Sequence, residues 1–138
     1  MIPTEHQEQC ALFEWQEWMA KQMPELHLMH AIPNGGKRDI RTAAMLKAGA
    51  QRGATGENSV RWEAEHADVL VAPIALVLKD AMMGEVTGDM AACVGASRAK
   101  KVFVPTQRCN AYVAGVGSMS MQELIADAAR QAVGAADR

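Results

Sequence analysis

Apolar and polar positions alternate along this chain in blocks that read as helix and strand in turn. Thr4 stands as a cap before a helix beginning at Glu5, with Gln7 at capping-box spacing. Cys10, Leu12, Phe13, Trp15, Trp18 and Met19 recur at helical spacing and give that helix an apolar face through about residue 21, and Pro24 marks its end. Leu26 to Ile32 reads as a short strand, and Pro33-Asn34-Gly35-Gly36 as a turn. A second helix is expected over Arg38 to Ala48, with Ala44, Met45 and Ala48 inward, Arg41 and Lys47 outward, and Gly49 as its C-terminal cap.

The rear half continues in the same way. Gly53-Ala54-Thr55-Gly56-Glu57-Asn58 has the composition of a loop, and Ser59 to Trp62 reads as a short strand after it. Asp68 to Ala72 is a continuous apolar run of the kind buried on both faces in a parallel sheet. Pro73 suits the first turn of a helix, expected to reach Met83 before Gly84 breaks it. Thr87 caps a further helix to about Ser97, Lys101 to Val104 reads as a buried strand stopped by Pro105, and Ala111 to Val116 as a weaker one. Ser120, with Glu123 at capping-box spacing, opens a last helix to about Val133. Strands and helices alternating at this spacing imply one α/β domain over residues 1–138: three layers around a small parallel or mixed sheet, Rossmann-like, preceded by an N-terminal amphipathic helix.

Composition narrows the setting. The 138 residues suffice for one hydrophobic core without metals or disulfides. Aromatics make up only 4% while there are ten Met, so that core rests on Ala, Val, Leu, Ile and Met. The formal net charge of −2 attracts neither nucleic acid nor an anionic membrane as a whole, so nucleic-acid binding requires a local basic patch. Cys10, Cys93 and Cys109 are odd in number and widely spaced, which argues against a disulfide framework or a zinc site and for a reduced, cytoplasmic setting. The polar N-terminus lacks the pattern of a secretory signal, and no apolar stretch is long enough to span a bilayer.

Two sets of motifs carry resemblances. Glu5, Gln9, Phe13 and Trp15, then His30-Ala31-Ile32-Pro33-Asn34-Gly35-Gly36-Lys37-Arg38, Ala43 and Lys47, resemble the start of the virus-type replication-repair nuclease domain (VRR-NUC). That resemblance implies the PD-(D/E)xK nucleases, which cut DNA with Mg²⁺ or Mn²⁺ held by carboxylates beside a positioning lysine. The catalytic strands of that pattern are not matched. Glu57 lies near the expected aspartate without its preceding proline, and Val77-Leu78-Lys79 has the lysine with valine at the carboxylate position. A metal site would have to be assembled from Glu5, Glu57 and Asp68, with Lys79 in support; His27 and His30 share a strand face, a spacing more often structural than metal-binding.

The second set is longer. Ala44 to Ala50, Arg52-Gly53-Ala54-Thr55-Gly56-Glu57-Asn58, Ala67-Asp68, Gly84-Glu85-Val86-Thr87 and Ser97-Arg98-Ala99-Lys100-Lys101 are its main runs. With Pro105, Arg108-Cys109-Asn110 and Gly115-Val116, they resemble a bacterial family numbered 3842 in the domain-of-unknown-function series. That resemblance implies a Rossmann-type α/β fold, although the strand and Gly-rich turn that ordinarily open the family are absent here. The two resemblances meet near residues 42–50.

Three function classes follow. The first is a nonenzymatic or catalytically impaired binding protein, in a phage or mobile-element context. It would contact nucleic acid through Lys37, Arg38, Arg41, Lys47 and Arg52, or a protein partner. The second is a divergent metal-dependent nuclease using Mg²⁺ or Mn²⁺. The third is a nucleotide or small-ligand binder using Gly53, Thr55, Gly56, Glu57 and Asn58 with Cys109 and Asn110, since crevices at strand C-terminal ends hold ligands in this architecture. Lys100 and Lys101 precede a strand, which leaves one of them to reach an anion.

Overall fold

A computed structural model describes residues 29–32, 43, 46–47, 50–105 and 112–137. Its elements in chain order are β1 (Met29–Ile32), β2 (Arg52–Thr55), α1 (Glu57–His66), β3 (Val69–Pro73), a 3-10 turn (Ile74–Val77), α2 (Gly88–Ala96), β4 (Lys100–Val104) and α3 (Met121–Ala136). β1 pairs with β2 in parallel from Met29↔Arg52 to Ile32↔Thr55. β3 pairs with β4 in parallel from Val69↔Lys100 to Pro73↔Val104. Parallel partners require a crossover connection, and α2 lies in the one between β3 and β4. In the crossover between β1 and β2, Ala43, Leu46 and Lys47 are helical and exposed, within the helix expected over Arg38 to Ala48. The chain is therefore a small α/β domain. The helix expected from Glu5 and the turn at 33–36 lie outside the described residues.

The apolar run at β3 is buried from both sides, as its composition implies. Val69 and Val71 with Val102 and Val104 of β4 pack against Ile125, Ala128, Ala129 and Ala132 of α3. The alternate side chains, Leu70 and Phe103, pack against Val60 and Ala64 of α1, Met90 and Val94 of α2, and Val86. Period-two alternation on two paired strands thus feeds two separate apolar layers. Met90, Val86 and Val94 are the largest fully buried side chains, each contributing about 1.5–3 kcal/mol through burial. Three of the four buried α3 residues in this layer are alanines.

Four local expectations are corrected. Ser59 to Trp62 is not a strand but part of α1: Val60 and Ala64, four apart, are both buried, while Arg61, Trp62 and Glu65 face outward. The stretch Gly53 to Asn58 is not a loop. Its first three residues complete β2, Gly56 alone turns the chain at φ 103°, and Glu57 opens α1. The helix expected from Pro73 to Met83 is only the four-residue 3-10 turn, because Leu78 is extended and Asp80, Met82, Met83 and Gly84 all have positive φ. Residues 112–116 form no strand, and Gly115 there is left-handed at φ 87°.

Cap chemistry is borne out. The Thr87 side chain accepts from Met90 N at the start of α2. At α3 both halves of the capping box form: Ser120 Oγ accepts from Glu123 N, 3.3 Å, and Glu123 Oε2 accepts from Ser120 N, 2.7 Å. The bonds that Glu123 Oε2 accepts from Ser120 N and from Ser120 Oγ, the latter 2.8 Å, hold that carboxyl below its ordinary pKa. Among the described residues, no helix is long and apolar enough to cross a membrane.

Candidate functional site

β2 ends at Thr55, Gly56 reverses the chain, and Glu57 becomes the first residue of α1 at the C-terminal edge of the strand. Ser59 Oγ donates to the Thr55 carbonyl, 3.0 Å, which steadies the corner. The Glu57 side chain then reaches across to the next helix. Its Oε2 accepts a hydrogen bond of 2.7 Å from Thr87 Oγ1, thirty residues away in sequence. Thr87 Oγ1 in turn accepts from Met90 N, 3.1 Å, so this hydroxyl ties the starts of α1 and α2 together. Lys79 joins them from a third segment: its Cδ lies 3.6 Å from where a Cβ on Gly88 would stand, so its stem lies across the first residue of α2. Glu57 and Thr87 thus meet at one edge, with the Lys79 stem against the neighbouring Gly88 and Asn58 exposed beside Glu57.

The other end of the helix pair is fastened by a second hydroxyl. Ser97 Oγ donates to the Ala64 carbonyl, 2.5 Å, and accepts from Ala99 N, 3.0 Å. Both lysines at the start of β4 donate to backbone carbonyls. Lys101 Nζ donates to the Ser97 and Ala99 carbonyls, and Lys100 Nζ to the Ala135 carbonyl in the last turn of α3, 2.7 Å.

The structure separates the carboxylates that a nuclease would need together. Glu57 opens the ten-residue α1, and Asp68 follows its end. A helix of that length spans about 15 Å, whereas a divalent cation binds oxygens at roughly 2.0–2.6 Å. The Lys79 stem lies against Gly88 at the start of α2, and Glu5 lies outside the described residues. No group of three or more His, Cys, Asp or Glu placed to hold a metal occurs among the described residues.

Of the basic set, Lys37, Arg38 and Arg41 lie outside the described residues, as do Cys109 and Asn110 among the ligand candidates. Lys47 and Arg52 are exposed. Arg52 stands at the start of β2, opposite the Glu57 edge, and its charge acts on Glu63. Burial pushes the Glu63 carboxyl up, and Arg52 and then His66 pull it back. Gly53 is an interior residue of β2, paired with His30 of β1.

Three features escaped the sequence reading. Thr87 is recognisable as a cap, but its bond to Glu57 has no local signal. Ser97 likewise bridges distant segments. Trp62 and His66 stack at 4.1 Å between ring centroids on the outer face of α1, and His66 Nδ1 donates to the Trp62 carbonyl, 2.7 Å. Their i, i+4 spacing would have shown the pair had the segment been read as a helix. Cys93 is free; burial pushes its thiol up, and its Sγ donates to the Met90 carbonyl, 3.1 Å, which suits a structural role.

Comparison with known proteins gives a family and no activity. No curated protein and no solved structure matches the chain. Nothing in the comparisons supports the nuclease resemblance of the front segment. One family, described as a domain of unknown function (DUF3842), matches residues 17–136, and its match spans residues 42–50, where the two resemblances meet. The chain belongs to this DUF3842 family.

Proposed function

We propose that this domain binds a small polar ligand at the C-terminal edge of its parallel strands, on a Rossmann-like three-layer scaffold. The observation that carries the reading is the bond between Glu57 and Thr87 at that edge, with the Lys79 stem laid against the adjacent Gly88. Ligands of parallel α/β proteins bind outside the carboxyl ends of the strands, where loops and helix starts gather. Helices on both faces of β3 and β4, with α1 packing beside α2, support the scaffold assignment. The separation of Glu57 from Asp68 weighs against nuclease chemistry, and the position of Arg52 near Glu63 weighs against a strongly basic nucleic-acid face.

Thermal unfolding of the full chain against nucleotides, sugar phosphates, amino acids and polyamines tests this. A ligand at a hundred times its Kd stabilises the native state by about 2.7 kcal/mol, a readily measured rise in Tm. The expected result is a shift with at least one class that Glu57→Gln or Lys79→Met abolishes. A flat response to all of them, or a shift that neither variant changes, overturns the proposal. Divalent-metal-dependent cleavage of DNA would restore the nuclease reading instead.

A further inference from the structure

One stretch of the fold is held in an unfavourable conformation. Among the described residues, Asp80, Met82 and Met83 are the non-glycine residues with positive φ, at 63°, 56° and 58°, and Gly84 follows at 84°. Aspartate tolerates this region, whereas a methionine side chain has no local hydrogen bond to offset the crowding of its Cβ. Such backbone persists only where its surroundings over-determine it. Here the surroundings are two anchors and a latch. Before the stretch, Ala75 in the 3-10 turn is buried, and after it Val86 is fully buried. Asp80 N donates to the Val86 carbonyl, 2.8 Å, and Val86 N to the Ala81 carbonyl, 3.2 Å, which closes the loop at its neck. The latch is Met82, which with Ala81 packs against the layer formed by Val60, Met90 and Val94. Leu78 and Met83 are exposed on the same loop. Packing of one unbranched side chain therefore opposes the strain of three residues, in a loop with fixed ends.

We propose that Leu78 to Glu85 is a redox-sensitive strap: it opens ahead of the rest of the domain, and oxidation of Met82 by a peroxide holds it open. The Met82 thioether takes one oxygen atom from hydrogen peroxide and becomes a sulfoxide, and the peroxide is reduced to water. The sulfoxide is polar and does not return to an apolar layer, so the latch is lost while the left-handed backbone stays strained. Oxidation of Met83 has no such effect, because its side chain already stands in solvent. Met90, in the same layer as Met82, is fully buried and is reached only by global unfolding. Val86 confines the opening to the strap and leaves the Thr87–Glu57 bond in place, so the device is independent of any ligand at the Glu57 edge.

Hydrogen–deuterium exchange of the full chain, read by peptide mass spectrometry before and after dilute hydrogen peroxide, tests the strap. Before treatment, amides 80–86 are expected to exchange at least about tenfold faster than those of β3 and β4, with less dependence on urea. After treatment, sulfoxide is expected at Met82 and Met83 but not at Met90. Exchange in the strap should then rise by roughly a further tenfold while β3 and β4 keep their protection. Met82→Leu is close in volume and inert to peroxide, and is expected to abolish that rise. Met83→Leu is expected to retain it. The proposal is overturned if the strap exchanges only together with β3 and β4, if Met82 is oxidised no faster than Met90, or if Met82→Leu responds to peroxide as the parent does.

Discussion

Replacing Thr87 by valine removes one hydroxyl and nearly preserves the shape of the side chain. In the native state that hydroxyl makes two bonds at once, accepting from Met90 N at 3.1 Å and donating to Glu57 Oε2 at 2.7 Å. Loss of an N-cap acceptor costs about 1 kcal/mol. Loss of the bond to a charged, half-buried partner costs about 1 kcal/mol more after allowance for its partial exposure. The sum is about 2 kcal/mol, or a fall in Tm of roughly 6–8 °C for a domain of this size.

Urea unfolding followed by circular dichroism reads the change as a shift of midpoint at constant slope. Thr87→Ser keeps both bonds and is expected to stay within about 0.5 kcal/mol of the parent. A double-mutant cycle with Glu57→Ala should return a coupling of about 1 kcal/mol between the two positions. The reasoning is refuted if Thr87→Val loses less than about 0.5 kcal/mol, if serine is as damaging as valine, or if the cycle shows no coupling.

Three further substitutions have outcomes that follow from the structure. Met83 is 83% exposed and held at φ 58°, where an L-residue costs about 1–2 kcal/mol, so Met83→Asn should stabilise by about 0.5–1 kcal/mol. Met82→Asn should destabilise instead, because Met82, also left-handed, packs against the core formed by α1 and α2; equal effects in urea unfolding would refute both. Burial raises the Glu63 carboxyl above its unfolded value, so the unfolded chain loses that proton first and stability falls as pH rises through the raised pKa. Glu63→Gln should therefore match the parent in acid and gain on it towards neutral pH; urea midpoints showing the gain in acid only would contradict the assigned direction.

Elements with chemistry at their own ends were legible from the sequence. Thr87 and the Ser120–Glu123 pair announced α2 and α3 because a cap is a local bond three residues long. The runs at β3 and β4 announced themselves because a strand covered on both faces needs apolar side chains at consecutive positions. β2 did not, since Thr55 alone of its four residues favours a strand, and Arg52, Gly53 and Ala54 owe their conformation to the ladder with β1. α1 was hidden for a related reason. Its inward face consists of Val60 and Ala64 alone, too few apolar residues to set a period against the polar start at Asn58 and Ser59.

The site follows the same division between local and distant bonds. Glu57 and Lys79 were drawn from a nuclease pattern that also required Asp68, and α1 carries Asp68 away from Glu57. Thr87, which orients Glu57, belongs instead to the second set of motifs, and its partner lies thirty residues back. Ser97 repeats the arrangement at the opposite end, where it holds the Ala64 carbonyl. Two hydroxyls therefore clamp α1 to α2 at both ends, and one of those clamps is also the hydrogen bond that orients Glu57. Under the proposed ligand-edge function, stability and recognition are coupled through one side chain: Thr87→Val loosens the helix pair and frees the carboxylate together, whereas a change at Ser97 loosens the pair without touching the carboxylate. Comparing Ser97→Ala with Thr87→Val at equal stability loss separates the two roles. Only the second should weaken binding at the Glu57 edge, and equal weakening by both would mean that general loosening, rather than the orientation of Glu57, governs the site.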